Sequence, residues 1–496
     1  MTTLRTRLMA AYRSFWTPDL QSSGFESTRL QRYQRSWQLY QNTAYNDLAA
    51  YIAATYPVGS QIYRFTTGLR NPIPAWVGFY VVNVWGGQLD LEAGNGQEAP
   101  SALPIITDND NLRPAIAKLW TWSNWNAKRL LATKYSAALG DAFIVVVDSP
   151  SAQKAYMQVR RPSEFASVDW DDFGHIKACT IEYKTNDADG KAYTFKQVIE
   201  HPSVWGGKFT RYQTYKDGKP FAYSENQLDG MATWQWEVPY DFVPVAHIPF
   251  DDIGEGWGAL GYSASLPVID TASSLASLLS AQVGKTVDPS YVAFGVSPGP
   301  VTLDSGGKAD ELSILFIPKG PAEADFRPLV AQIDMAGALS LLDSHLTEIA
   351  RNLPELRMSE AMRSGLSGEA LGRAFADVAA RIGAVRGNHD SGLVRAQQMA
   401  IAIAGASGYD PVFRGFDLNS FKSGLLDHGI GDRPILPTSS SEKVDTNGKQ
   451  WVQVGQAVAA GMPLTTALRE IMGWEDDDLA AMDADQQAGF ITDNEQ

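Results

Sequence analysis

The chain has 496 residues, 56 acidic and 41 basic side chains and a formal net charge of −15, with 44% apolar and 20% charged residues. That composition excludes global disorder, and the length points to about three domains or one elaborate subunit. The single cysteine, Cys179, excludes an internal disulfide framework or a multi-cysteine zinc module, and no apolar run approaches the roughly 20 residues of a membrane span.

The first stretch is basic, with Arg5, Arg7, Arg13, Arg29, Arg32 and Arg35 against Asp19 and Glu26. Only Leu8-Met9-Ala10-Ala11 follows the first two arginines, too short for the core of a secretion signal. Apolar spacings of three and four predict a helix over 28–56, on the stripe Leu30, Tyr33, Trp37, Tyr40, Ala44, Leu48 and Tyr51. A second helix is predicted over 113–139, and the run 142–147 reads as a buried strand. From 155 to 250 the period becomes two, with strands expected at 193–199, 209–215 and 233–238, separated by Asp189-Gly190, Gly206-Gly207 and Asp217-Gly218. This is an antiparallel sheet joined to helices, an α+β unit. Segment 262–283 reads as a helix rich in alanine and serine, suited to close packing against another helix of the same or a neighbouring subunit. Prolines and Gly306-Gly307 make 285–327 a short β-rich piece. Helices follow at 328–352 and about 369–404, the latter capped by Ser367. A polar break at 437–448 precedes a last helical region, 450–482, and an acidic tail without Lys or Arg after Arg469.

Motifs that would carry catalysis are weak. Gly387-Asn388-His389-Asp390 matches one element of metallophosphoesterases, but it falls inside a predicted helix, and six histidines supply no second pair to complete a two-metal site. Surface histidines are the simpler reading. Asp343-Ser344-His345 is likewise helical. Gly254-Glu255-Gly256-Trp257-Gly258 has dinucleotide-like glycine spacing without the βαβ context, so a flexible joint is expected there. Asp108-Asn109-Asp110 and Asp169-Trp170-Asp171-Asp172 suit caps and surface turns better than a cation site. No P-loop, GxSxG elbow or HExxH stretch occurs. The 14 tryptophans, 19 tyrosines and 20 phenylalanines fall mostly on helix stripes and strand faces, where core packing explains them. The acidic balance argues against wrapping nucleic acid but permits a duplex to slide past, because sliding requires weak binding. Seven arginines between 351 and 395 make that region slightly basic; Arg373, Asp377 and Arg381 are spaced for helix-face ion pairs.

Several segments, in this order, resemble the portal proteins of tailed bacteriophages, the siphophage-type head-to-tail connector rings. They are Arg32-Tyr33-Gln34-Arg35-Ser36-Trp37-Gln38-Leu39-Tyr40 with Tyr45, then Arg70-Asn71-Pro72-Ile73-Pro74-Ala75-Trp76-Val77, then Val243-Pro244-Val245-Ala246-His247-Ile248-Pro249-Phe250. Ser367-Gly368-Glu369-Ala370-Leu371 resembles the opening of the long helix after the family's tunnel loop, and 461–469 with Gly473 resembles its C-terminal region. Segment 285–327 matches no motif.

The resemblance implies an α+β portal-type subunit with an α/β wing, a helical stem, a small β-containing clip, a tunnel loop and a helical crown. The borders expected are a basic arm 1–25, wing 26–257, first stem helix 258–284, clip 285–327, second stem helix 328–354, tunnel loop 355–368, long wing helix 369–400, and crown with acidic tail 401–496. It implies a non-enzymatic homo-oligomer, usually a dodecamer, at the capsid vertex of a virion, assembled in the host cytoplasm. Its partners would be double-stranded DNA in the channel, the terminase large subunit, major capsid and scaffolding proteins, and head-completion or adaptor proteins. No cofactor, metal or membrane is implied. Arg357, Arg363, Ser364 and Ser367 are the channel candidates, with Arg357 and Arg363 expected near the axis. The alternative is a metal-dependent phosphoester- or sugar-processing enzyme.

Overall fold

The computed structural model describes residues 25–43, 70–85, 105–187, 189–228, 231–287, 291–294, 314–317, 325–328, 335–357, 376–431, 440–472 and 479. The chain divides into two units, one of residues 1–365 with 375–435, the other of 366–374 with 436–496.

In the larger unit the first helix, α1 (Phe25–Tyr40), buries Arg29, Tyr33, Ser36 and Leu39, a stripe at spacings of four and three. Leu30, expected inside, is exposed. The helix stops earlier than its aromatic pattern predicts, and Asn42 then takes a left-handed φ of 59°; residues 44–56 of the expected helix lie outside the described ones. Helix α2 (Ile73–Asn83) follows, with Pro72 and Pro74 at its start, where their lack of an N–H costs nothing. The predicted helix 113–139 is two helices, α3 (Leu112–Ser123) and α4 (Trp125–Leu139), broken at Asn124 (φ 49°, ψ 44°), a residue type that tolerates the left-handed region.

Gly140 turns the chain into β1 (Asp141–Ser149), which pairs antiparallel with β2 (Lys154–Arg160). β3 (Phe165–Trp170), β4 (Ile176–Asn186), β5 (Ala192–Glu200), β6 (Thr210–Lys216) and β7 (Gln235–Val238) form the antiparallel order β7-β6-β5-β4-β3, with Lys219–Pro220 added beside β6. β8 (Val245–Pro249) returns to the other edge of β1, giving a second sheet β8-β1-β2. β1 reads as a continuous apolar run because both its faces are covered. Phe143 and Val145 join Phe165, Cys179, Ile181, Ile199, Val243 and Trp257 between the sheets, and helices lie against the other side. Burial pushes the Cys179 thiol up to about 12, so it is an inert core group.

Helix α5 (Leu266–Val287) leaves this body, and α6 (Met335–Asn352) returns against it. Between them β9 (Tyr291–Phe294) pairs parallel with β10 (Ile314–Ile317) and antiparallel with β11 (Asp325–Pro328). The long helix α7 (Ala376–Ser407) then packs across β1, β2 and β8. Gly392 permits the close approach, since a Cβ there would sit 2.5 Å from the Ile248 side chain and 3.0 Å from the His247 carbonyl.

In the smaller unit, α8 (Ser440–Ala459) precedes the turns Leu464–Ala467 and Leu468–Met472, around Val454, Ala467, Leu468 and Leu479. Its helix covers most of the expected polar break at 437–448, since a polar stretch need not interrupt a helix. No described helix is long and apolar enough to cross a membrane.

Candidate functional site

The helical hairpin α5/α6 is the feature that the rest of the larger unit positions. Both of its feet enter the body through side chains brought together from distant parts of the chain. The first foot runs from Phe250 to Ser265. Gly256, Gly258 and Gly261 are close-contact positions and not the loose joint that the sequence suggests, whereas Gly254 has open space around it. A Cβ on Gly258 would lie 2.2 Å from the Gly140 carbonyl, and one on Gly261 would lie 2.4 Å from Phe250 and 2.9 Å from Trp76. Gly258 N–H donates to Asp141 Oδ1 at 2.6 Å, His247 Nε2 lies 2.7 Å from the same oxygen, and the Tyr33 hydroxyl donates to Oδ2 at 2.5 Å. Asp141 is fully buried and thereby ties α1, β8 and the glycine crossing to the start of β1. Burial, then this carboxylate, push the Tyr33 phenol well above its ordinary value. Arg29 closes the top, with its guanidinium 3.9 Å from the Trp257 ring and a 2.7 Å bond to the Phe165 carbonyl.

The second foot is Leu353 to Arg357. Glu355 is 1% exposed and accepts from the Tyr80 hydroxyl at 2.7 Å and Trp76 Nε1 at 3.2 Å. Arg381 Nη1 lies 3.5 Å from Glu355 Oε1, the oxygen that accepts from Tyr80, and 3.4 Å from the Asn352 carbonyl. Trp76 packs against Tyr80, Phe250 and Tyr262 at 4.7–5.3 Å between ring centroids, and the Tyr262 hydroxyl donates to the Ala138 carbonyl. Burial, then Glu355, hold the Tyr80 phenol above its usual value. One aromatic cluster therefore receives both feet.

Away from its root the hairpin changes character. Val283, Leu339 and Leu341 are 48%, 55% and 52% exposed. Asp270, one turn into α5, is half-buried, and burial pushes its carboxyl up to about 7.

Of the channel candidates, Arg357 is described: it is exposed, and its N–H bonds the Pro354 carbonyl in the turn after Glu355. Arg363, Ser364 and Ser367 lie outside the described residues, as does Arg373. The expected Asp377–Arg381 pair is not formed, since Arg381 turns to Glu355. Arg386 is buried and donates to the Asn83 carbonyl at 2.7 Å, so it is no surface cation. His389, expected at the surface, is wholly buried, 2.9 Å from Ser136 Oγ and 2.8 Å from the Val385 carbonyl, with its ring edge-on to Trp85. His345 faces Glu348 on α6. Among the described residues no group of three His, Cys, Asp or Glu side chains could hold a metal. Asp171 shapes a surface turn by accepting from the N–H groups of Phe173 and His175.

Asp141 and Glu355, the two carboxylates that fix the hairpin, were missed from sequence. The signal for Asp141 was present: an acid directly after Gly140 at the head of an apolar strand. Glu355 had none, since its neighbours come from 275 and 279 residues away.

No family model and no curated protein matches the chain. Solved structures similar to it include a chain from the virion of a native gene transfer agent particle, 14% identical, covering 87% of this chain and 99% of that one at a TM-score of 0.33. A chain of the neck of the empty particle, computed with C6 symmetry, is 14% identical and covers 86% and 98% at 0.35. A chain of the neck of the native particle, computed with C12 symmetry, is 13% identical and covers 84% and 98% at 0.33.

Proposed function

We propose that this chain is a structural subunit of a phage-like head–tail junction, a portal ring at a capsid vertex through which double-stranded DNA passes. The observation that carries the reading is the hairpin: a helix–β–helix excursion, rooted in an α+β body by buried carboxylates, with apolar side chains left exposed on its helices. Leucines half-exposed on an antiparallel helix pair are suited to burial between side-by-side copies, where an interface of some thousands of Å² forms. The order of portal-like sequence segments supports the same assignment.

In this reading α5 and α6 are the stem, the β9–β11 sheet is the clip that meets the terminase large subunit or head-completion proteins, and 355–368 faces the channel. Arg357, Arg363, Ser364 and Ser367 touch the duplex transiently. An acidic ring with few cations keeps phosphate contacts sparse, which lets DNA move, because each cation–phosphate contact adds affinity by releasing counterions. Capsid and scaffolding proteins surround the body, and hydrolysis belongs to the packaging motor. Negative-stain images and native mass spectrometry of the purified full chain test this: closed rings of about twelve copies are expected. A chain that stays single or paired under all salt and concentration conditions overturns it.

A further inference from the structure

Asp270 and Arg351 form an unmatched pair of charges on the hairpin. Asp270 is half-buried on α5 and has no hydrogen-bond or ion-pair partner among the described residues. Its raised carboxyl has burial as its only cause, the mark of an acid without a counter-charge. Arg351, in the last turn of α6, is exposed and likewise has no ion pair among the described residues. It is the one arginine on the two helices; their other fixed cation, Lys285, belongs to the opposite end of α5. The other ionisable groups of α6 are Asp343, His345 and Glu348, and His345 already faces Glu348 at 3.9 Å.

Level decides how such charges can meet. α5 leaves the body and α6 returns to it, and α6 touches the turn Ser263–Ser265 at the foot of α5. Asp270 and Arg351 are therefore both near the root. Hairpins packed in opposite directions would carry the two residues to opposite ends. Hairpins packed side by side in the same direction keep them at one height. We infer that α5 of one copy packs along α6 of the next in the same direction, with the carboxylate of Asp270 paired to the guanidinium of Arg351 across the seam. Leu341, about 80° around α6 from Arg351, is the exposed leucine nearest this contact. Because it joins one face of α5 to a different face of α6, the contact is head-to-tail and repeats around a closed ring. A desolvated carboxylate beside an arginine fork gives register to an otherwise greasy seam. The inference rests on the ring reading and names its contact.

The test is a charge swap in the full chain, read by native mass spectrometry and by sedimentation. Asp270→Arg and Arg351→Asp alone are each expected to lower the ring fraction about tenfold, because each sets like charges across the seam. The double variant Asp270→Arg/Arg351→Asp is expected to restore it. A second variant, Asp270→Cys/Arg351→Cys, is expected to give a ladder of covalent multimers on oxidation. Rings that persist in both single reversals, or a folded double variant that stays dissociated, overturn the pair and leave the ring reading standing. A cysteine variant that yields only single chains on oxidation, while still forming rings, also overturns the pair. A wild-type chain that forms no rings overturns the ring reading itself.

Discussion

The root of the hairpin and its outer faces have opposite chemistry. At the root, Asp141 and Glu355 are buried and each is held by three partners, among aromatic rings and glycines whose Cβ positions are already occupied. Along the helices, leucine and valine face outward, and a half-buried acid has no partner among the described residues. A buried, satisfied polar network specifies one geometry within the chain, whereas an exposed apolar face with an unmatched charge leaves its complement to come from outside. The root is thus built for intramolecular precision, and under the proposed ring reading the faces serve association.

Substitutions at the root should break this contrast most visibly. Asp141→Ala leaves the Gly258 N–H, the Tyr33 hydroxyl and His247 unpaired in the interior, and should cost about 3–5 kcal/mol, read as a fall in the urea midpoint of the full chain. Glu355→Ala strands Tyr80 and Trp76 and should cost about 2–4 kcal/mol by the same measurement. Glu355→Gln, which still accepts one bond, should fall between it and wild type. A loss below about 0.5 kcal/mol in either alanine variant would mean that the root is not what anchors the hairpin.

Asp270 sharpens the contrast through pH. Its folded carboxyl titrates near 7, above the ordinary 3.8, so between these values the folded chain holds a proton that the unfolded chain has released. Stability of the unassembled chain should therefore fall as pH rises from about 4 to about 7 and level off above. Asp270→Asn should remove that slope and gain about 1–3 kcal/mol at pH 8, measured by denaturation across the pH series. The smallest effect on folding is expected at the faces. Leu339→Ser and Leu341→Ser should leave the stability of the single chain within about 0.5 kcal/mol of wild type yet abolish its rings, seen in sedimentation profiles.

Much of the architecture was legible in the residues. The period-two stretch from 155 to 250 became antiparallel strands, divided among more than one sheet, and the apolar run 142–147 became a strand covered on both faces. Proline and glycine marked 285–327 as a short β-rich piece; 291–294, 314–317 and 325–328 are strands, while the helix before them runs on to Val287. Local errors had local causes: Asn124 broke a helix whose apolar pattern runs on unbroken, and α8 formed through a polar stretch that carries no core signal.

What the amino-acid order determined by itself was the kind and succession of elements, because backbone preference and side-chain period act over a few residues. Which polar groups are buried was decided only in three dimensions. Glu348 and Glu355 stand seven residues apart with the same chemistry, yet one faces His345 on an open helix and the other lies under Trp76, Tyr80 and Arg381. The environment of a charge is set by neighbours drawn from hundreds of residues away, and no spacing within one segment can encode it.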